Sequence, residues 1–525
     1  MLDLLIRNGL IVDGTGSPGF YGAVGAEGDQ LRILRGDVSQ AEAARVIDAT
    51  GHVVCPGFID MHSHGGLTIL KQPRHEPKVR QGITTELIGI DGNSVAPFKT
   101  RKELRQYMEL DCGLNDRAPE NLNWSSVSEF LSLYDDRVAV NICYILGNSP
   151  VRIWGVGWNN RPATGDELEE MKAVVREAME EGAFGLSTGL DYPPGSFADT
   201  NELVELSKVV AAMGGFYHTH TRSDLRRQGL LAPWEEALEI GRKSGSPVHL
   251  THYRQSAQGV GSHLDYLGLV EKARGEGLDV TFDCYPYIYS GTRAVAYLPQ
   301  WTMDGGLERL MRALRSKADR DRIKKEIGSN PQARDAEERW LTNFQKPENK
   351  QYEGQSLADI ARLRGQEEVD ALCDLFLEDG LQISWVGVRT NPQTLPAFVS
   401  HPCGMVGSDA ILMGEFPSPR SYGCFPVILA EFVRAEKQLR LPEAIRKMTS
   451  FPAQRLDLRD RGLLRDGMKA DIVVFNPDTV KTPATRRNPR QFPQGIPYVI
   501  VNGKVVIDNG NHTGALPGRA LRHGR

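Results

Sequence analysis

The sequence predicts an α/β protein: a (β/α)8 TIM-like barrel with a small β-sandwich domain built from both chain ends. Through the middle of the 525-residue chain, short apolar runs alternate with amphipathic stretches, as strands alternate with helices in a barrel. Both ends instead hold short strand-like runs broken by Gly and Asp. Histidines and aspartates follow several apolar runs, which is where a barrel carries its active site.

These patterns divide the chain into a barrel flanked by the two parts of the small domain. Residues 1–55 and 461–525 are predicted to meet as the small β domain, and Asn-Gly at 502 and 503 signals a hairpin in its second part. Residues 56–460 are predicted to form the barrel. A charged, helix-rich stretch at about 295–370 lacks candidate ligands, so we expect an insertion in a late βα loop. It is either a lid over the barrel or solvated surface.

Composition favours a small-molecule partner. The formal net charge is −5 with acidic and basic residues interspersed, which gives no reason to expect nucleic acid or a membrane surface as partner. The seven cysteines are scattered without a C-x-x-C pair, which indicates a reducing compartment. The apolar runs are too short for a membrane span and the start MLDLLIRNGLIVDG is unlike a signal peptide, so we expect a cytoplasmic protein, with a homo-oligomer left open.

The segment VVCPGFIDMHSHG at residues 53–65 ends an apolar run with His62 and His64. Residues two apart in an extended chain point to the same side, so both imidazoles face one way. Two neutral histidines hold a divalent cation only with the help of further ligands. The ends of later apolar runs offer such ligands: Asp91, His220, His252 and Asp409. Together these residues predict a metal site.

Three further segments bear on this site. FYHTHTR again has period two, with His218 and His220 on one face. In PVHLTHYR, His249 and His252 are three apart and should not both point inward from a straight strand, so one of them is expected to be structural. Asp409 in HPCGMVGSDA is a candidate ligand and proton shuttle, although an Asp that begins a turn is also typical of a helix cap.

A series of segments along nearly the whole chain resembles one family. In order they are PGFIDMHSH, GLSTGLDYPPG, THTR, THYR, DCYPY, VGSD, SPRSYGCFP, AIRKMTSFPAQRL, DRGLLRDGMKADIVVFNPDT and VNGKVV. They resemble the amidohydrolase superfamily, and within it the N-acyl-D-amino-acid deacylase (D-aminoacylase) family. The resemblance implies a barrel that binds one or two Zn²⁺ ions or other divalent metals. It also implies hydrolysis of a C–N amide bond that is not a peptide bond, without an organic cofactor.

The family's roles carry over to matching positions. His62 and His64 resemble the metal pair of the first strand, and His220 and His252 resemble the two later histidine ligands. Asp409 resembles the catalytic aspartate, which acts as general base towards water and then as general acid towards the leaving nitrogen.

The chain departs from the family at the bridging ligand. Residues 89–94 read GIDGNS, which places Asp91 where the family typically has cysteine. A carboxylate also bridges two metals, but exchanging a soft thiolate for a hard oxygen donor shifts metal preference. GLSTGL offers Ser187 and Thr188 but no lysine for the carbamylated ligand of dihydroorotase-like relatives. After His64 the chain has two glycines where the family often has an acidic residue.

Four residues are candidates for contact with substrate. Arg254 in THYR and Arg420 in SPR resemble basic residues of the family, and either guanidinium suits a substrate carboxylate. Tyr285 in DCYPY and Tyr192 in LDYPPG are placed to line the pocket, and the hydroxyl of Tyr285 suits the developing negative charge of the carbonyl oxygen.

The leading hypothesis is a metal-dependent deacylase of N-acyl-D-amino acids that uses metal-activated water, with Asp409 as base and acid. One alternative is a hydrolase of a cyclic amide, imide or carbamate, like a hydantoinase or dihydroorotase. The other is a catalytically inactive binding protein on the amidohydrolase fold. The expected partner is a small amide that carries a carboxylate.

Overall fold

The structure is a computed structural model that describes residues 1–36, 41–328 and 339–524. Its strands are β1 (Leu2–Ile11), β2 (Phe20–Glu27), β3 (Gln30–Leu34), β4 (Ala43–Asp48), β5 (Val53–Pro56), β6 (Phe58–Asp60), β7 (Ile83–Ile88), β8 (Asn141–Tyr144), β9 (Leu146–Gly147), β10 (Gly185–Gly189), β11 (Phe216–His220), β12 (Val248–Leu250), β13 (Val280–Cys284), β14 (Tyr289–Arg293), β15 (Arg339–Thr342), β16 (Ser384–Val388), β17 (Gly404–Val406), β18 (Ile472–Phe475), β19 (Tyr498–Val501), β20 (Lys504–Asp508) and β21 (Asn511–His512).

The α-helices are α1 (Gly66–Lys71), α2 (Glu76–Val79), α3 (Arg101–Asn115), α4 (Val127–Ser132), α5 (Asn148–Gly155), α6 (Gly165–Glu180), α7 (Thr200–Ala212), α8 (Ala232–Ser244), α9 (His263–Gly275), α10 (Gly306–Arg315), α11 (Lys317–Gly328), α12 (Leu357–Arg364), α13 (Glu368–Asp379), α14 (Leu395–Ser400), α15 (Arg420–Val427), α16 (Leu441–Met448) and α17 (Ser450–Arg455). In these described ranges, no helix combines the length and apolarity needed to cross a bilayer.

Parallel strands form the barrel in two arcs. One arc has three strands, β6, β7 and β8, and the other has six, in the order β9, β10, β11, β12, β13 and β17. β8 and β9 lie in one run of chain, so the arcs together give eight strand positions. The last strand meets the first through two hydrogen bonds: the Asp409 amide donates to the His62 carbonyl (2.8 Å) and the His64 amide to the Ala410 carbonyl (3.2 Å).

The strand sequences suit a barrel covered by helices. All six residues of β7, ITTELI, are buried, as expected for a parallel strand that is covered on both faces. The helices between strands are amphipathic, and α6 begins with a capping box between Thr164 and Glu167.

The two chain ends share a sheet of nine strands, in the order β21, β20, β19, β18, β5, β1, β2, β3, with β4 on β1. The join is the antiparallel pair β5–β18, where Val473 faces Cys55. Alternate residues of these strands enter different cores: Val53 and Val473 pack with the barrel, and Val54 packs in the core between the strands of the small domain. The domain boundaries at 55/56 and 460/461 stay predictions. The last residues also reach the barrel, since the Ile142 amide donates to the Arg519 carbonyl (2.9 Å).

Between β13 and β17 the chain builds an additional antiparallel sheet, in the order β14, β16, β15. This sheet and α10–α13 enclose a separate apolar cluster around Val295, Leu372 and Trp385. The sheet extends beyond the insertion predicted at about 295–370 on its N-terminal and C-terminal sides. Residues 329–338 of that predicted insertion lie outside the described residues.

A buried network of charges ties the first barrel strand to the last. Lys78 Nζ donates to Asp60 Oδ2 and to Ser408 Oγ (2.9 Å), and Ser408 Oγ donates to Asp60 (2.5 Å). Lys78 also lies 3.6 Å from Glu86, which accepts a hydrogen bond from His75 Nε2 (2.9 Å). Because these groups are buried, each carboxylate depends on its cationic partner.

We expect Lys78→Met to lower the free energy of unfolding by about 3–5 kcal/mol, because it leaves buried carboxylates without a counter-charge. Lys208→Met is the matched control, since Lys208 pairs with Glu205 at the surface with its side chain 49% exposed. The control should cost at most about 1 kcal/mol. Denaturant unfolding of both variants measures the difference, and equal losses would contradict the role of the network.

Candidate metal centre

The candidate ligands stand where barrel strands end. His62 follows β6, Asp91 follows β7, and His220 is the last residue of β11. His252 and Asp409 follow β12 and β17 in the same way. Because parallel strands of a barrel end on one face, these side chains converge from distant parts of the sequence.

One carboxylate oxygen, Asp91 Oδ2, faces four histidines. It lies 3.4 Å from His62 Nε2 and 3.9 Å from His64 Nε2. It lies 3.6 Å from His220 Nδ1 and 3.7 Å from His252 Nε2. Ligands that each lie about 2.0–2.2 Å from a shared ion are separated by similar distances, roughly 3.3–3.6 Å. Asp91 Oδ2 is therefore close to all four imidazoles, and its role as a bridging ligand stays a prediction.

Asp409 completes the cluster from the last strand. Its Oδ1 lies 3.3 Å from His64 Nε2 and 3.6 Å from His62 Nε2. Among the described residues, one ligand atom from each of His62, His252 and Asp409 could share a cation, as could His62, His64 and Asp91, or Asp91, His220 and His252. The six residues predicted as ligands are thus brought together.

The donor set fits a divalent metal. His62 Nε2 is buried and has no hydrogen-bond partner in the part of the chain that the structure describes, although it faces the carboxylates of Asp91 and Asp409. A buried imidazole nitrogen of this kind normally has a partner. Nitrogen and carboxylate donors together suit zinc and its neighbours in the transition series.

Three of the candidate ligands have a strained backbone. Asp91, His252 and Asp409 have φ values of 54°, 36° and 49°, in the left-handed region that side chains other than glycine rarely adopt. The turn at His252 also explains the outcome for the second histidine pair. β12 ends at Leu250, so the chain is no longer a straight strand when it reaches His252, and both His249 and His252 lie inside the barrel mouth.

Hydrogen bonds to the far nitrogens orient three of the imidazoles. His62 Nδ1 lies 3.4 Å from Asp283 Oδ2, and His64 Nδ1 lies 2.9 Å from Asn115 Oδ1. His220 Nε2 lies 3.0 Å from Asp191 Oδ2. Each contact leaves the other ring nitrogen facing the cluster, which is the usual arrangement around metal-binding histidines.

Neighbouring charges and burial shift the pKa values of several residues in the cluster. Burial opposes ionisation of Asp91, but His62, His220 and His252 hold the pKa of its carboxyl well below the usual range. Burial would also lower the pKa of His220, yet hydrogen bonds to Asp191 and Asp91 raise it to about 9. Burial lowers the pKa of His252 to about 4, so this imidazole is neutral and available as a ligand.

Arg420 pairs with Asp409. Arg420 Nη2 lies 2.9 Å from Asp409 Oδ2, and Nη1 donates to the Tyr289 carbonyl (3.2 Å). Burial would raise the pKa of Asp409, but the guanidinium, followed by His62, keeps it well below the usual range. Arg420 was predicted to bind a substrate carboxylate; it is buried and forms an ion pair with Asp409, and its contact with substrate stays a prediction.

Two other arginines near the cluster pair with no carboxylate among the residues that the structure describes. Arg254 donates to the His252 carbonyl (2.6 Å) and lies 3.4 Å from Ser290 Oγ. Arg389, which the sequence did not single out, follows β16 with its guanidinium over Trp385. Burial, then the charges of other arginines, lower the pKa of Arg389 to about 10.

The two predicted tyrosines also lie near the cluster. Tyr285 packs against both Arg254 and Arg420, with its ring centroid 4.9 Å and 4.2 Å from their guanidinium carbons. Its hydroxyl is buried without a hydrogen-bond partner in the described structure. Tyr192 packs against His220 with ring centroids 5.0 Å apart, and its hydroxyl lies 3.0 Å from Thr292 Oγ1.

Other residues of the site were missed or were given no role. Asp283 links His62 to His249, whose Nε2 lies 3.1 Å from Asp283 Oδ2, and His218 stacks on His249. The sequence could have indicated Asp283, because this aspartate lies within the apolar strand sequence LDVTFDC. Ser187, in the segment without lysine, accepts from the Gly92 amide (3.0 Å) and so supports the turn that carries Asp91.

Comparison with known proteins agrees with this geometry. The profile of the amidohydrolase family matches residues 45–507. The chain is 32% identical to D-aminoacylase of Alcaligenes xylosoxydans xylosoxydans over 521 residues, which cover 99% of this chain and 97% of that protein.

Two solved structures are similar over the full length. One, from work on the binuclear metal centre of D-aminoacylase, has a TM-score of 0.81 at 31% identity and covers 99% of this chain and 100% of that chain. The other is N-acyl-D-glutamate deacylase of Bordetella bronchiseptica complexed with zinc and a phosphonate inhibitor, with a TM-score of 0.82 at 28% identity and 99% of each chain covered.

The predicted fold class, family and metal-dependent hydrolysis of a C–N bond are thereby confirmed. The cyclic-amide alternative has less support, because the two proteins described above at 28–32% identity are a D-aminoacylase and a deacylase. The chain belongs to the amidohydrolase family.

Proposed function

We propose that this protein hydrolyses the acyl amide bond of N-acyl-D-amino acids. The observation that carries the proposal is the six-residue cluster around Asp91 Oδ2 together with two arginines that lack a carboxylate partner among the described residues. The cluster suits hydrolysis, and the arginines suit the carboxylate of an amino acid. The D configuration rests on the similarity to D-aminoacylase.

The ligands for zinc would be His62, His64, Asp91, His220 and His252, with Asp409 at the edge of the cluster. With two carboxylates and four imidazoles, the cluster offers enough donors for one or two ions. When bound, a divalent cation supplies Lewis acidity and makes water acidic enough to attack near neutral pH.

Asp409 is the residue best placed to move the proton. Its Oδ1 faces His62 and His64, and its Oδ2 is held by Arg420, so the carboxylate is ionised and fixed in orientation. It takes a proton from the attacking water and gives it to the leaving nitrogen when the C–N bond breaks.

The substrate carboxylate is held by Arg254 and Arg389, which have no carboxylate partner among the described residues. Arg254 and Arg389 lie on adjoining backbone, because the Ala257 amide donates to the Arg389 carbonyl (3.0 Å). Together they offer two guanidinium groups to the α-carboxylate. The buried hydroxyl of Tyr285 then donates to the acyl oxygen as it becomes negative, and Tyr192 lines the wall beside His220.

The direct test uses purified zinc-loaded protein with matched N-acetyl-D- and N-acetyl-L-amino acids, and amine release is measured. We expect turnover of D substrates and at least about tenfold lower kcat/KM for their L partners, because the arginines and the wall fix one enantiomer. Hydantoins and dihydropyrimidines serve as the comparison set. Ring opening without any deacylation would overturn the proposal in favour of the cyclic-amide alternative.

Metal preference should depend on the oxygen at position 91. Asp91→Cys places a soft thiolate there and should raise the fraction of zinc over manganese retained from an equimolar mixture. Elemental analysis of the purified variants measures that ratio, with Asp91→Glu as the control that keeps a carboxylate. Chelator treatment should abolish turnover and lower the Tm of the wild type, and zinc should restore both. An unchanged metal ratio in Asp91→Cys would argue against Asp91 as a ligand.

Arg420 should set the acid limb of the pH profile. Its guanidinium holds the pKa of Asp409 low, so in Arg420→Gln that pKa rises and the base is lost at a higher pH as pH falls. The acid limb of kcat/KM should therefore move to higher pH. Tyr285→Phe keeps the ring under Arg420 and should leave the limb in place even if kcat falls. If the acid limb does not move in Arg420→Gln, Arg420 does not control the pKa of the catalytic base.

A further inference from the structure

Three adjacent strands place a layer of polar side chains inside the barrel, below the metal centre. In the register of the parallel sheet, His218 of β11 is opposite His249 of β12, and His249 is opposite Thr281 of β13. All three side chains are buried. Branched apolar side chains normally fill the interior of a barrel, so a polar layer at this level calls for a physical reason.

The residue that connects this layer to the metal centre is Asp283, two positions after Thr281 on the same strand. Its Oδ1 accepts a hydrogen bond from the His252 amide (2.9 Å), and its Oδ2 lies 3.4 Å from His62 Nδ1. The first contact holds the strained turn at His252, where φ is 36°, and the second orients the His62 ring. A shift of this one carboxylate would therefore displace two candidate metal ligands.

His249 provides a further hydrogen bond to Asp283. Its Nε2 lies 3.1 Å from Asp283 Oδ2, and its Nδ1 lies 2.8 Å from Thr281 Oγ1. Burial lowers the pKa of His249, although the hydrogen bond to Asp283 opposes this shift, so the ring is neutral. Because a carboxylate only accepts, Nε2 carries the proton of the neutral ring and donates to Asp283, and Nδ1 accepts.

A contact at the opposite end of the barrel supports the same tautomer. Arg455, the last residue of α17, donates from Nε to Thr281 Oγ1 (2.9 Å) and from its two terminal nitrogens to Asp279, which precedes β13. Since a guanidinium only donates, the hydroxyl proton of Thr281 is left to donate to His249 Nδ1. Arg455, Thr281, His249 and Asp283 thus form a polar column along the inside of the barrel.

We propose that His249 is a positioning residue of the metal centre: its hydrogen bond fixes Asp283, and Asp283 fixes the His62 ring and the His252 turn. The inference rests on the proposed function, because that function assigns the metal to these two histidines. Without His249, the buried carboxylate loses a donor that fixes its rotation. Hydrogen-bond partners of metal-binding histidines are typically worth about 10–100-fold in metal affinity.

The test uses two substitutions of nearly equal shape in the full-length protein. His249→Gln keeps an N–H donor close to the place of Nε2, whereas His249→Met has no donor. We expect His249→Met to raise the zinc dissociation constant about 10–100-fold, measured by competition with a chromophoric chelator, and His249→Gln to keep it within about threefold. The visible spectrum of the cobalt-loaded protein should change in His249→Met and be retained in His249→Gln.

Equal zinc affinities and equal cobalt spectra for the two variants would overturn this inference and leave the proposed function standing. A wild-type protein that binds neither zinc nor cobalt would overturn the proposed function, and this inference with it. His401→Met is the matched control, because it makes the same exchange at a buried histidine outside the polar column, whose Nε2 lies 3.3 Å from Glu271. It should keep the zinc dissociation constant within about threefold of the wild type.

A second pair of variants tests the polar column from its other end, and it decides the question if thermal melting shows His249→Met to be unfolded. Thr281→Val removes the hydroxyl that donates to His249 and should weaken zinc binding about three- to tenfold. Thr281→Ser keeps that hydroxyl and should retain the wild-type affinity. Equal zinc affinity in these two variants would contradict the positioning role of His249.

Discussion

The site is organised by one buried oxygen, Asp91 Oδ2, which lies within 3.4–3.9 Å of a nitrogen from each of four histidines. A carboxylate and imidazoles this close, out of water, require either shared protons or a cation. The left-handed backbone at Asp91, His252 and Asp409 and the hydrogen bonds to Asp283, Asn115 and Asp191 hold these groups in that geometry. Zinc would replace the protons with one or two ions.

The arginines around the site differ in whether a carboxylate of the protein balances their charge. Arg420 is buried against Asp409 and keeps that carboxylate ionised and oriented, so the charge of Arg420 is balanced by a carboxylate of the protein itself. Arg254 and Arg389 have no carboxylate partner in the described structure and remain for an anionic ligand. The ring of Tyr285 contacts the guanidinium groups of both Arg420 and Arg254. In the proposed function, proton transfer and substrate binding therefore depend on different arginines that lie close together.

Local sequence was informative where chemistry depends on spacing along one strand. The period-two pair His62 and His64, and the positions of His220 and Asp409 at strand ends, followed from alternation and from the layout of barrels. Asp283 and Arg389 could not be found in this way, because their importance lies in what they face across the barrel or across the insertion sheet. Likewise, the sequence around Arg420 did not indicate that this residue forms an ion pair with Asp409.

The sequence by itself determined the kind of fold, the family and the residues able to hold a metal, since alternation, strand-end polarity and motif order are properties of short stretches of chain. Only the tertiary structure decided which carboxylate faces which cation. Many of those pairings join residues far apart in the sequence, such as Asp111 with Arg293, and depend on distances of a few ångströms that no local pattern encodes.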